Sequence, residues 1–137
     1  MSERFDTLFS GMSEESAMEI LRTAPGDLGN PGVKYLAATR LGACTSEVSL
    51  QRLLETAGNP SDNLYDRITQ RKALDALGRR KSPRAIPVLL EALESSDEPM
   101  VVNAADALAR IGCPLTDQQQ DALIQACLLY TSDAADE

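Results

Sequence analysis

Between positions 67 and 84 the chain carries Arg67, Arg71, Lys72, Arg79, Arg80, Lys81 and Arg84, with Asp75 the lone acid among them. Arg67 and Arg71 are one helical turn apart and therefore share a face. Guanidinium forks take carboxylates bidentately, so this pair could hold an anionic ligand. Asp66 can accept N–H donors, and Tyr65 beside it offers a ring for stacking. Each residue also has a plain structural use: the arginines as a solvated helix face, Asp66 as a favourable charge at the N-terminal end of its helix. Arg79, Arg80, Lys81 and Arg84 fall at a turn between helices, where they could pair with helix C-terminal carbonyls or dock an acidic protein.

Other chemistry is excluded by residue type. The 137 residues include no histidine, which removes Ser-His and Cys-His catalysis and the usual zinc sites. Cys44 and Cys113 lie outside any CxxC pattern and read as reduced thiols at helix ends; a transient carrier of an electrophilic ligand is the sharper alternative. The formal charge is −8, from 21 acids against 13 bases, which argues against nucleic-acid binding. No apolar run approaches the roughly 18–20 residues of a membrane span. The N-terminus lacks the basic and apolar regions of a signal peptide, so a cytoplasmic protein is expected.

These residues must be positioned by helices that repeat. A shift of 36 residues superposes Ala37, Leu41-Gly42, Leu50 and Leu53-Leu54-Glu55 on Ala73, Leu77-Gly78, Ile86 and Leu89-Leu90-Glu91. A shift of 31 brings Ala73 and Ala76-Leu77 onto Ala104 and Ala107-Leu108. A helix pair repeated three times predicts an all-α, right-handed α-α superhelix, each unit burying its apolar face on its neighbours. The expected organisation is a repeat domain over 1–126, with a helical preface at 1–30 and repeats at about 32–57, 64–95 and 98–126. Expected caps are Ser13 for the preface helix, Thr45 or Ser46 for the second helix of the first repeat, and Ser82-Pro83 in the central repeat. Thr116-x-x-Gln119 reads as a capping box. Pro87 sits early enough in its helix to bend it slightly rather than break it.

Cys127 to Glu137 (CLLYTSDAADE) is similar to a translated sequencing adapter. On that reading 127–137 is a non-native, poorly packed tail, and the repeat array is truncated before a capping unit. Without Asp133, Asp136 and Glu137, 18 acids remain against 13 bases.

The run Ala76-Leu77-Gly78-Arg79-Arg80 followed by Ser82-Pro83-Arg84-Ala85-Ile86-Pro87 resembles the short HEAT-like repeats of phycobilisome lyases. Asn63-Leu64-Tyr65-Asp66-Arg67-Ile68-Thr69 precedes it. Ser2-Glu3-Arg4-Phe5-Asp6 and Lys34-Tyr35-Leu36-Ala37-Ala38-Thr39-Arg40-Leu41-Gly42 add to the likeness, which is to the E/F class of cyanobacterial bilin lyases, particularly the small single-chain members associated with phycoerythrin. The resemblance implies a lyase, or lyase-chaperone, that promotes a thioether bond between a linear tetrapyrrole and a phycobiliprotein cysteine. The bilin, phycoerythrobilin or a relative, is then a substrate rather than a tightly bound cofactor. The implied partners are an apo-phycobiliprotein subunit, that of phycoerythrin foremost, and a second lyase subunit. On this reading Arg67 and Arg71 hold the bilin propionates, Asp66 faces its pyrrole nitrogens and Tyr65 stacks beside it. No catalytic nucleophile or metal is assigned. The alternative is a non-catalytic HEAT-like adaptor or chaperone for phycobiliproteins or other partners.

Overall fold

The computed structural model describes residues 12–135. The Ser2–Asp6 motif, the start of the helical preface and the last two tail residues lie outside them. Helix α1 spans Glu14–Arg22; Ser13 caps it by accepting from the Ser16 N–H at 3.1 Å, and Glu14 and Glu15 favour its first turn. After a 3₁₀ turn at Pro25–Asp27 come α2 (Val33–Leu41) and α3 (Glu47–Ala57). Of the two expected caps for α3, Ser46 is the one used, its hydroxyl accepting from the Ser49 N–H at 3.1 Å. Helix α4 runs from Leu64 to Arg80 behind an Asn63 cap, followed by α5 (Ile86–Ala92), α6 (Glu98–Ile111) and α7 (Asp117–Ala135). There is no strand among the described residues.

Two local expectations need correction. Pro83 does begin a helical turn, but it is a 3₁₀ turn over Pro83–Ala85, and the Ser82 side chain makes no capping bond. Because α5 proper starts only at Ile86, Pro87 lies in its first turn, where the missing N–H would have had no intrahelical partner. The reciprocal box at the start of α7 is as expected: Gln119 N–H donates to the Thr116 hydroxyl at 3.1 Å, and Thr116 N–H donates to Gln119 Oε1 at 2.8 Å. Helix α7 continues across the position where the foreign tail was expected to begin. Ala126 is buried, whereas Cys127, Leu128 and Leu129 are exposed.

The helices form two layers. In one, α2 packs on α4 and α4 on α6; in the other, α1 lies against α2, α3 against α4, and both α5 and α7 against α6. This is an all-α solenoid, and its core is the repeated stripe: Leu41, Leu77 and Leu108 from the first layer and Leu53 and Leu89 from the second are fully buried. Stacking within the first layer depends on small residues. A Cβ at Gly42 would stand 3.0 Å from Ala76 Cβ, and one at Gly78 would stand 2.7 Å from both Cα and Cβ of Ala107. The Leu-Gly pairs that superpose in sequence are therefore the places where one repeat's helix meets the alanine of the next.

Arginines fasten the first joint. Arg80 donates to the Ser49 hydroxyl at 2.7 Å, to the Ser46 carbonyl at 2.8 Å and to the Leu41 carbonyl at 3.3 Å. Arg79 pairs with Asp75 at 3.3 Å and reaches the Thr39 carbonyl at 3.4 Å, while Arg84 pairs with Glu47. Of the two uses open to this cluster, Arg79 and Arg80 thus take the helix carbonyls, those of the preceding repeat rather than of their own helix. On the same side, Ser46 and Ser49 hold the Glu14 carboxyl below the usual glutamate range and tie α1 to α3.

Candidate functional site

The first turn of α4 stands as a ridge between two clefts along one edge of the solenoid. The first, of about 660 Å³, opens between the α1–α2 and α3–α4 connections and is lined by Arg22, Lys34, Arg52, Glu55 and Asp66 among others. The second, of about 280 Å³, opens one repeat further on, with Arg67, Gln70, Val88, Glu91 and Asp97 in its walls. Gly58 borders both. The larger lies within the size range of small-molecule sites.

The clefts are copies of one another. The 36-residue shift that aligns the first two repeats carries Leu21, Lys34, Arg52, Glu55 and Thr56 of the first onto Ala57, Gln70, Val88, Glu91 and Ala92 of the second. The 31-residue shift carries Asp66 and Thr69 onto Asp97 and Met100. Each cleft has a buried polar clamp in its wall. Lys34, only 5% exposed, donates to the Thr23 carbonyl at the end of α1 at 2.7 Å and to Asp66 Oδ1 at 3.0 Å. Gln70, also buried, donates to the Ala57 carbonyl at the end of α3 at 2.7 Å. Both side chains satisfy a carbonyl that the helix itself leaves unpaired. At the third joint the same register holds Val101, which is buried.

The sequence-derived residues are distributed over this edge rather than gathered in one pocket. Asp66 lines the first cleft and is engaged by Lys34; its side chain remains 31% exposed. Arg67 is exposed and lines the second cleft. Arg71, half-buried, lines neither, and its Nε is buried without an acceptor among the described residues. Tyr65 stacks on Tyr35 of α2, ring centroids 6.3 Å apart and planes 24° from parallel. Burial and the neighbouring Tyr65 push the Tyr35 phenol pKa up, an effect opposed by the charge of Arg71.

Sequence reasoning missed Lys34 and Arg52 as lining residues. For Lys34 the signal was present: it falls on the same stripe as Ala37, Ala38 and Leu41, where a lysine has no business unless it is paired. Arg52 Nη1 pairs with Glu55 at 2.8 Å, and its Nε is buried without an acceptor among the described residues. Cys44 is partly buried. Burial raises its thiol pKa, and the thiol donates to the Arg40 carbonyl at 3.5 Å. No three histidine, cysteine or acidic side chains cluster as metal ligands among the described residues, and no helix there is long and apolar enough to cross a membrane.

Comparison with known proteins adds two findings. Residues 63–135, more than half of the chain, match the family of HEAT repeats. Over 112 residues, 82% of the chain, it is 34% identical to a protein of Pseudanabaena tenuis called "Uncharacterized phycocyanin operon protein Y". The chain spans about a quarter (26%) of that relative's length.

Proposed function

We propose that this chain, which belongs to the HEAT-repeat family, serves phycobiliprotein assembly by holding a linear tetrapyrrole for attachment to a phycobiliprotein cysteine. The relative's phycocyanin operon supports the setting, and the ridge of α4 supports the ligand. Asp66 and Arg67 are adjacent residues that open into two adjoining clefts, one an acceptor for N–H groups and the other a carboxylate binder. A bilin presents both chemistries, a row of pyrrole nitrogens and two propionates. That side-by-side placement carries the reading.

In the reaction, the acceptor thiolate adds to the ethylidene carbon of ring A, a carbon–sulfur bond forms, and a proton is taken up by the pigment. The nucleophile comes from the phycobiliprotein, so the chain needs none of its own. Its contribution is to fix one bilin conformation and present ring A to one cysteine, catalysis by proximity and orientation. Arg67, with Arg71 one turn along, takes a propionate on the ridge.

A charge-assisted pair of this kind is worth about 1.5–3 kcal/mol. The Arg67→Ala, Arg71→Ala double variant should therefore bind a bilin at least about tenfold more weakly, since ~1.4 kcal/mol is a factor of ten. Absorbance titration with the pigment measures this, with thermal melting to show that the variant is folded. A folded double variant that binds as tightly as the parent places the propionates elsewhere.

A further inference from the structure

We infer that the larger cleft is a carboxylate-binding subsite, with the Arg52 guanidinium as its principal contact and Arg22 and Lys34 supplying further positive charge. The inference rests on comparing the two clefts, which the repeat makes internal controls for each other. Acids recur in both: Glu55 and Asp66 in the first answer to Glu91 and Asp97 in the second. Cations do not. Arg22, Lys34 and Arg52 are replaced one repeat later by Gly58, Gln70 and Val88. The solenoid closes the same joint with neutral residues, so packing does not demand the three charges of the first cleft.

The local electrostatics follow. The first cleft sets three cations against two carboxylates, the second one cation, Arg67, against two. The first is the richer in cations, of which Arg22 is paired with Glu19 at 2.6 Å, Lys34 with Asp66 and Arg52 with Glu55. Within it Arg52 is the group with bonding capacity to spare. Glu55 occupies one end of the guanidinium through Nη1, and Nε lacks an acceptor among the described residues. A ligand carboxylate that displaces the half-exposed Glu55 would take the Nη1/Nη2 end of the fork bidentately. Lys34, buried in the wall, is held by Asp66 and the Thr23 carbonyl and adds its charge from there. Arg52 lines the cleft on one side of the α4 ridge and Arg67 the cleft on the other, so the two carboxylates of an elongated dicarboxylate are assigned to these two guanidinium groups. If the bilin reading holds, this is the seat of its second propionate, but the subsite itself rests on the charge pattern.

The test uses the full chain with biliverdin, a linear tetrapyrrole with two free carboxylates, and biliverdin dimethyl ester, which has none. The variant is Arg52→Val, which installs the residue that the second cleft already carries. The expected result is a diacid affinity reduced about tenfold and an ester affinity unchanged. Arg52→Lys, which keeps the charge and loses the fork, should recover only part of it. An equal loss for diacid and ester would show that Arg52 acts by packing and would overturn the inference, as would an unaltered diacid affinity in a variant with a parental melting curve. If Arg52→Val selectively weakens the diacid while no pigment attachment depends on the chain, the subsite stands and the lyase reading falls.

Discussion

Substituting Gly78 by alanine should destabilise the protein by about 1–3 kcal/mol, although alanine is the better helix former. Helix propensity alone predicts the opposite sign, a gain of roughly 0.8–1 kcal/mol. Packing wins because the new Cβ would lie 2.7 Å from the Cα and Cβ of Ala107, and a backbone atom within α6 cannot swing aside. The layer would have to separate at α4–α6, loosening the contact that buries Leu77 and Leu108. Gly78→Leu should abolish cooperative folding of that joint. Gly26, with no atom within 4 Å of its would-be Cβ, is the control, and Gly26→Ala should change the melting temperature little. Thermal and urea melts followed by circular dichroism measure all three. A Gly78→Ala variant more stable than the parent would show that the helices are not in such close approach.

The second large effect lies two residues along the same helix. Arg80→Ala removes the donor for the Ser46 and Leu41 carbonyls and the Ser49 hydroxyl, where α2 ends and α3 begins. Ser49 is fully buried, so water does not simply take the place of the guanidinium. A loss of about 2–3 kcal/mol is expected, in the range for hydrogen bonds to a charged group. Arg84, only four positions on in the same basic run, makes an exposed pair with Glu47, and Arg84→Ala should cost about 0–1 kcal/mol. Equal effects at the two positions, read from urea midpoints, would contradict the division of this cluster into a structural clamp and a surface charge.

Local signals in the sequence were enough for the helix pairs. Ser13, Ser46 and the Thr116–Gln119 box act within a single turn, and the Leu41, Leu77 and Leu108 register follows from the repeat. Where a partner comes from another repeat, the same reasoning stopped short. The Leu41-Gly42 and Leu77-Gly78 alignment was visible, but its cause, an alanine of the next helix in near contact, is a property of the stack. Arg80 could be placed near helix carbonyls without showing that they lie at the end of α2 and the start of α3, 39 and 34 residues away. The site was legible only in outline. Asp66 and Arg67 do face clefts, but the pairing of Asp66 with Lys34 spans 32 residues, and the unlike charges of the two clefts emerge only once α1, α3 and α4 are brought to one edge.

We propose that the chain promotes covalent attachment of a linear tetrapyrrole to a phycobiliprotein cysteine. Its most direct measurement is co-expression of the chain with a bilin-producing pathway and candidate apo-phycobiliprotein subunits, phycoerythrin and phycocyanin subunits included. Denaturing gels read by zinc-enhanced bilin fluorescence then report thioether-bound pigment alone. The expected result is a fluorescent subunit band that is lost when the chain is omitted and when the acceptor cysteine is replaced by alanine. Pigment attachment unaltered by omitting the chain, for every subunit tried, would contradict it and leave a non-catalytic adaptor in its place.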